Sequence, residues 1–244
     1  SAIVPVHVFG NPCDTENIER VAKKHNLPII YDAAHAFGVK RKGVNVLNSG
    51  DISTISFHAT KLFHTIEGGA IVTNSDELAE KVKLMIRCGI PGEDRVSLVG
   101  INAKVSEFSA AMGLCVLDDI DWIMERRSAL RLLYEAFLNG WVGFQQWDDS
   151  DSNNSAYMPV LLPDETVLTG LKTLLIKRGI NPRRYFYPSL DSLNFLASGN
   201  YCPVSRNIAS RILCLPLYPS LKKDEVRYIC DTIKEFLHAK NQAS

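Results

Sequence analysis

Ser56-Phe57-His58-Ala59-Thr60-Lys61, followed by Ile66-Glu67-Gly68-Gly69-Ala70-Ile71-Val72, is the stretch around which the chain is organised. It reads as the end of a β-rich run that delivers one lysine among small and hydroxylated residues. A Glu-Gly-Gly turn and a second apolar strand follow at once. A lysine in that setting is partly desolvated, which lowers its pKa and frees the neutral amine. That form can build a Schiff base with an aldehyde. A lone loop lysine is otherwise an ordinary solvated cation, so the neighbours have to decide.

Upstream, Leu27-Pro28-Ile29-Ile30-Tyr31 is a short apolar strand with Asp32 at its carboxyl end. Before it, Asp14 caps a helix over about Thr15 to His25, with Ile18, Val21 and Ala22 as its apolar stripe and Asn26 at its end. The opening run Ala2-Ile3-Val4-Pro5-Val6-His7-Val8 reads as a buried strand, and so close a start predicts further sequence ahead of it. Strand, helix and strand in alternation predict an α/β sheet whose ligands sit at the strands' carboxyl ends. Asp32-Ala33-Ala34-His35 lies at such an end. Asp32 reads either as a cap or as a carboxylate that keeps a heteroaromatic nitrogen protonated. His35 reads either as a structural hydrogen-bonder or as a second ligand group.

Downstream, Arg41 to Asn45 is a polar turn, and Asp51 to Phe57 an alternating strand. Ile71 to Thr73 is the next strand, and Ser75 caps a helix to about Arg87. Gly89 to Gly100 reads as a loop long enough to be mobile or functional. A long helical pattern covers about Ser106 to Leu138, with Asp118, Asp119 and Asp121 allowing two consecutive helices. The predicted organisation is a large domain over 1–138 and a smaller α+β domain over 139–244. In the latter, 148–155 is a polar linker or hairpin loop. Strands at Tyr157–Leu162 and Leu213–Leu215, helices at about Glu165–Arg178 and Lys223–His238, and an aromatic segment Arg183–Pro188 complete it.

Composition narrows the class. The 244 residues are 46% hydrophobic and 22% charged, ordinary values for a globular protein with a substantial core. Lysine plus arginine and aspartate plus glutamate each number 27, so no basic excess points to nucleic acid. No apolar run reaches a membrane span. Six scattered cysteines without a C-x-x-C pair read as reduced thiols of a cytoplasmic protein, not as a zinc site or disulfide framework.

Five motifs in order, Pro5-Val6-His7-Val8-Phe9-Gly10, Asp32-Ala33-Ala34-His35-Ala36, Ser56 to Lys61, Glu67-Gly68-Gly69-Ala70 and Asn102-Ala103-Lys104-Val105-Ser106-Glu107, resemble the DegT/DnrJ/EryC1/StrS family. Leu215-Pro216-Leu217-Tyr218-Pro219 fits as well. These are pyridoxal-phosphate sugar-nucleotide aminotransferases of fold type I, and the resemblance runs over nearly the whole chain. It implies the large-domain portion of that fold, a mostly parallel sheet flanked by helices, plus a small C-terminal α+β domain.

The resemblance also implies roles. Lys61 would bond the cofactor and shuttle the proton, and Asp32 would pair with the pyridinium nitrogen. His35 stands where many members have glutamine near the ring oxygen, and either side chain can donate a hydrogen bond. Ser56 would hold the phosphate. Asn102 would reach the phosphate of a neighbouring subunit, which implies a homodimer with shared active sites. His58, Glu67, Arg183, Tyr185 and Tyr187 would face substrate. Family members carry an N-terminal portion ahead of the segment matching Ala2, with a helix start for the phosphate and an aromatic residue stacked on the ring.

Some members have histidine where Lys61 stands and are dehydratases, so lysine here implies transamination. The implied reaction moves the amino group of L-glutamate to a 3- or 4-keto-6-deoxyhexose nucleotide. The His58-Ala59-Thr60-Lys61-Leu62-Phe63 variant points to dTDP-4-keto-6-deoxyglucose, for O-antigen or related glycans. Two other readings stay open. One is a non-catalytic scaffold or fragment that keeps the fold. The other is a fold type I lyase or desulfurase, which needs a cysteine on a mobile loop; Cys88 borders the 89–100 loop.

Overall fold

A computed structural model describes residues 1–196 and 201–242. The chain divides into two compact units, one of residues 1–124 with 147–156, the other of 125–146 with 157–244.

In the first unit, helix α1 covers Thr15–His25. Asp14 caps it by accepting the Asn17 N–H, and Asn26 ends it in the left-handed conformation at φ 51°. Asparagine tolerates that conformation better than most residues. Its inward face is Ala22 with Ile18, packed near Ile29 and Tyr31. Val21, expected on that face, is 47% exposed.

Strand β1 (Ile30–Asp32) follows. A hairpin of β2 (Lys40–Arg41) and β3 (Val44–Asn45) comes next. Lys42 and Gly43 at its tip both take positive φ, 48° and 81°, as a tight two-residue turn demands. Strand β4 (Ile52–Ser56) pairs in parallel with β1, matching Asp32 to Thr54. Strand β5 (Gly69–Val72) closes the sheet antiparallel to β4, with Gly69 opposite Ser56. A side chain at Gly69 would come within 2.8 Å of the Ile55 carbonyl, so the position needs glycine.

The opening run is not a continuous strand. It runs beside β1 and the residue before it through two isolated parallel bridges, Ile3 to Ile29 and Val6 to Asp32. Pro5 between them has no N–H to give to a ladder. Val8–Gly10 then turns as a short 3-10 segment with Phe9 at φ 58°.

Helix α2 (Asp76–Met85) is capped by Ser75. The 89–100 loop is tied at its base, where Cys88 N–H donates to the Ile101 carbonyl and Ser97 N–H to that of Gly89. The long helical pattern is two helices, α3 (Glu107–Asp118) and α4 (Ile120–Leu138), broken at Asp119.

The polar stretch 148–155 belongs to the first unit. It lies along the hairpin: Ser152 N–H donates to the Lys40 carbonyl at 2.8 Å, and Lys40 N–H donates to Ser152 Oγ at 2.7 Å. The Arg41 guanidinium pairs with the buried Asp151 carboxylate at 3.0 Å.

In the second unit, β6 (Gly143–Phe144), β7 (Pro159–Leu161) and β8 (Ile212–Cys214) form an antiparallel sheet with β7 central. Helices α5 (Glu165–Lys177), α6 (Pro203–Arg211) and α7 (Lys223–Gln242) accompany it. Its core joins Leu130, Tyr134 and Leu138 of α4 to Leu168, Leu171 and Leu175 of α5 and Ile229 and Ile233 of α7. Those α4 side chains are why the boundary falls inside α4, before Glu125, and not after Leu138. Among the described residues, no helix is long and apolar enough to cross a membrane.

Candidate active site

The parallel register carries Asp32 to the end of β1 and the Lys61 loop to the end of β4. Asp32 is fixed by its main chain: its N–H donates to the Pro5 carbonyl at 2.9 Å and its carbonyl accepts the His7 N–H at 3.0 Å. Its Oδ1 accepts the Ala34 N–H at 3.0 Å, which turns the chain toward His35.

His35 is buried, and its Nδ1 accepts the Phe9 N–H at 3.0 Å. A ring nitrogen that accepts carries no proton, so the neutral ring bears its hydrogen on Nε2. Burial and the Lys61 cation push this imidazole down to about 4, while Asp32 pulls the other way.

Lys61 precedes two buried anchors, Leu62 and Phe63. The Phe63 ring stacks on Phe37 with centroids 4.6 Å apart and meets Phe57 edge-on at 4.8 Å. The Lys61 N–H closes a turn onto the His58 carbonyl at 2.9 Å. The lysine side chain is half-buried; desolvation lowers its pKa, and Asp32 opposes the shift. Lys61 and Asp32 both act on the His35 imidazole and Asp32 acts on the Lys61 amine, so the three lie within electrostatic reach.

Ser56 ends β4, and its Oγ accepts the His58 N–H at 3.3 Å. His58 Nδ1 accepts the Thr60 N–H at 3.1 Å, leaving Nε2 3.6 Å from the Glu67 carboxylate. Asn102 is exposed and bridges to Arg87 at the far end of the 89–100 loop. In the second unit, the Arg183 guanidinium lies over the Tyr185 ring at 5.4 Å and hydrogen-bonds its hydroxyl. Arg184 covers Tyr187 at 3.4 Å and pairs with Glu165 at 2.5 Å.

Three participants were not legible. Phe9 serves His35 through its backbone N–H, which no side-chain pattern reveals. Asn154 sits in a polar stretch that reads as linker, yet it is 2% exposed and hydrogen-bonds the His35 loop. His7 is wholly buried and stacked on Tyr31 at 4.8 Å, with Nδ1 accepting the Cys13 N–H at 2.9 Å. Its place in the first motif is the only signal the sequence offers.

The sequence matches the DegT/DnrJ/EryC1/StrS aminotransferase family over residues 1–234. The chain belongs to this family. It is 42% identical over 96% of its length to the dTDP-4-amino-4,6-dideoxy-D-glucose transaminase of Shigella dysenteriae, and spans 66% of that protein. It is 34% identical to the enzyme of the same name from Escherichia coli, covering 93% of the chain and 64% of the relative. The GDP-perosamine synthase of Escherichia coli O157:H7 is 32% identical, with 96% and 65% covered. The chain thus spans just under two thirds of the curated relatives it matches most strongly.

Among solved structures, DesI in the presence of its TDP-sugar product superposes with a TM-score of 0.89 at 30% identity, covering 97% of this chain and 62% of that one. A family member from Brucella abortus gives 0.89 at 27% identity, with 97% and 64% covered. The fold is the α/β fold of fold type I aminotransferases. The cofactor of the DegT/DnrJ/EryC1/StrS family is pyridoxal phosphate.

Proposed function

We propose that this chain carries the catalytic lysine of a transaminase that moves the amino group of L-glutamate to a nucleotide-linked keto-6-deoxyhexose. The observation that supports the reading is that Asp32 and the Lys61 loop follow the carboxyl ends of two paired parallel strands, with His35 on the turn that Asp32 caps. The donor set suits pyridoxal phosphate. A half-buried amine faces the aldehyde chemistry, a carboxylate suits a ring nitrogen, and a neutral Nε2–H donor suits a ring oxygen.

When bound, the cofactor supplies an aldehyde that bonds amines and a ring that draws electrons from the bonded carbon. Asp32 would hold the proton on the ring nitrogen, His35 Nε2–H would donate to the ring oxygen, and Ser56 would donate to the phosphate. Lys61 Nζ, whose burial favours the neutral form, would take a proton from the amino-acid carbon and return it to the cofactor. Over two half-reactions, glutamate leaves as 2-oxoglutarate and the sugar carbonyl becomes an amine. His58, Glu67, Arg183, Tyr185 and Tyr187 are the substrate-side groups of this reading, and Asn102 is the residue a second subunit would use. Two relatives at 42% and 34% identity are named for a dTDP-linked 4-amino-4,6-dideoxyglucose, which favours dTDP-4-keto-6-deoxyglucose as acceptor.

The test is an absorbance titration of the purified protein with pyridoxal phosphate, then L-glutamate, beside Lys61→Ala. The reading expects a bound-cofactor band that glutamate converts and the variant lacks. A dTDP-linked 4-keto sugar should then restore the first band faster than its GDP-linked counterpart. Protein that takes up no cofactor, with or without Lys61, would mark a scaffold instead.

A further inference from the structure

Asn154 has no place in the chemistry above, yet its carboxamide is among the most fully used polar groups of the first unit. It is buried, at 2% exposed. One of its Nδ2 hydrogens goes to the His35 carbonyl at 2.9 Å and the other to the Phe37 carbonyl at 3.0 Å. Its Oδ1 accepts the Ala156 N–H at 3.1 Å. Two carbonyls need donors and one N–H needs an acceptor, so only one orientation of the amide satisfies the site.

The same amide lies against Gly10. A Cβ there would fall 2.8 Å from Asn154 Oδ1 and 3.0 Å from the His35 carbonyl, and Gly10 has φ +88°. Glycine permits that approach, and the residue before it, Phe9, sends its N–H into His35 Nδ1. His35 is therefore gripped at two points, its carbonyl by Asn154 and its ring by Phe9.

We propose that Asn154 is a positioning residue of the candidate active site, holding the main chain at His35 and Phe37 so that the imidazole stays docked on the Phe9 N–H and presents Nε2–H as its donor. The proposal rests on the reading of His35 as a cofactor-facing group. It gives the 147–156 stretch a task beyond connecting the two units. Its other ties, Ser152 to Lys40 and Asp151 to Arg41, anchor the stretch to the hairpin and leave His35 to Asn154.

The test reads the His35 ring directly, by nitrogen-detected NMR of the histidine-labelled protein without added cofactor. Among the groups acting on the ring are the Lys61 ammonium, the Asp32 carboxylate, the Phe9 N–H and the stacked Phe9 ring. The unaltered protein should show the Nε2–H tautomer, titrating at about 4. Asn154→Ala should mix the tautomers and raise the midpoint by about one unit or more toward the free-histidine value. Ser152→Ala, which loosens the same stretch elsewhere, should leave the ring unmoved.

An Nδ1–H tautomer in the unaltered protein overturns the proposal. So does an unmoved ring in Asn154→Ala, or an equal shift in Ser152→Ala. If Asn154→Ala does not fold, Asn154→Ser keeps one hydroxyl donor and carries the same measurement. Adding pyridoxal phosphate separates the two readings. A ring that responds to Asn154 in protein that binds no cofactor defeats the functional reading and leaves only the hold of Asn154 on His35, and bound cofactor with a ring indifferent to Asn154 defeats this proposal alone.

Discussion

His7 and His35 are two residues through which a fall in pH from 7 to 4 reaches this structure. Burial is the first cause in both, pushing each imidazole from 6.5 down to about 4. For His7, Asp32 opposes the shift and Arg41 adds to it; for His35, Lys61 adds to it and Asp32 opposes. The unfolded chain binds more protons than the folded one between those values. Stability is therefore full above about pH 6.5 and is lost as pH falls toward about 4, by on the order of 3 kcal/mol for each ring. Urea unfolding midpoints from pH 7 to 4 should fall accordingly, and His7→Gln should flatten the curve whatever it does to stability at pH 7. An equally steep curve in that variant would remove His7 from the account. Neither shift could be read from the sequence, because an isolated histidine gives no sign of its burial. Lys61 and Asp32 stand out in the sequence because each follows a strand pattern and has small residues beside it.

Elements were legible where local chemistry is sufficient. Helix α1 has a side-chain cap at Asp14 and a left-handed asparagine at its end, and both bounds follow from them. Helix α6 was missed: it is nine residues long, Cys202 offers no side-chain cap, and only Ala209 of its residues is buried. Strand β6 is two residues held by β7, a tertiary pairing that its own sequence does not encode. Within α1, periodicity named one residue too many, because the buried patch around Ile29 and Tyr31 is only wide enough for Ile18 and Ala22. The contrast with α5 is measurable. Leu171 is fully buried in the second unit's core, so Leu171→Ala should cost about 2–5 kcal/mol. Val21 is 47% exposed, so Val21→Ala should stay within about 0.5 kcal/mol of zero. Equal losses at both would mean that α1 packs on a face other than the one described.

At the scale of the whole molecule, the two units differ in how they are held. The second has a continuous apolar core drawn from α4, β7, α5, β8 and α7. The first relies on smaller apolar patches, Ala33 with Ala36, Val39 and Val46 in one and Ala22 with Ile29 and Tyr31 in another, together with buried polar contacts. Asn154 with the His35 loop, Arg41 with Asp151 and His7 with Cys13 are such contacts. The sequence reading placed one division at 138/139, whereas the units divide within α4 and 147–156 returns to the first. Polarity there marks buried hydrogen bonds, and a single sequence cannot tell those from solvated linker. Both imidazoles lowered to about 4 lie in the first unit, whereas the lowered carboxyls of the second, Glu165 and Asp191, lose their contribution only as pH falls below their ordinary values of 4.5 and 3.8. Acid should therefore loosen the first unit before the second. Hydrogen-exchange protection factors at pH 7 and about pH 4.5 test this: β1 and β4 should lose protection at the lower pH while α5 and α7 keep theirs. Simultaneous loss in all four would mean that the units unfold as one, and the acid sensitivity of His7 and His35 would then belong to the molecule as a whole.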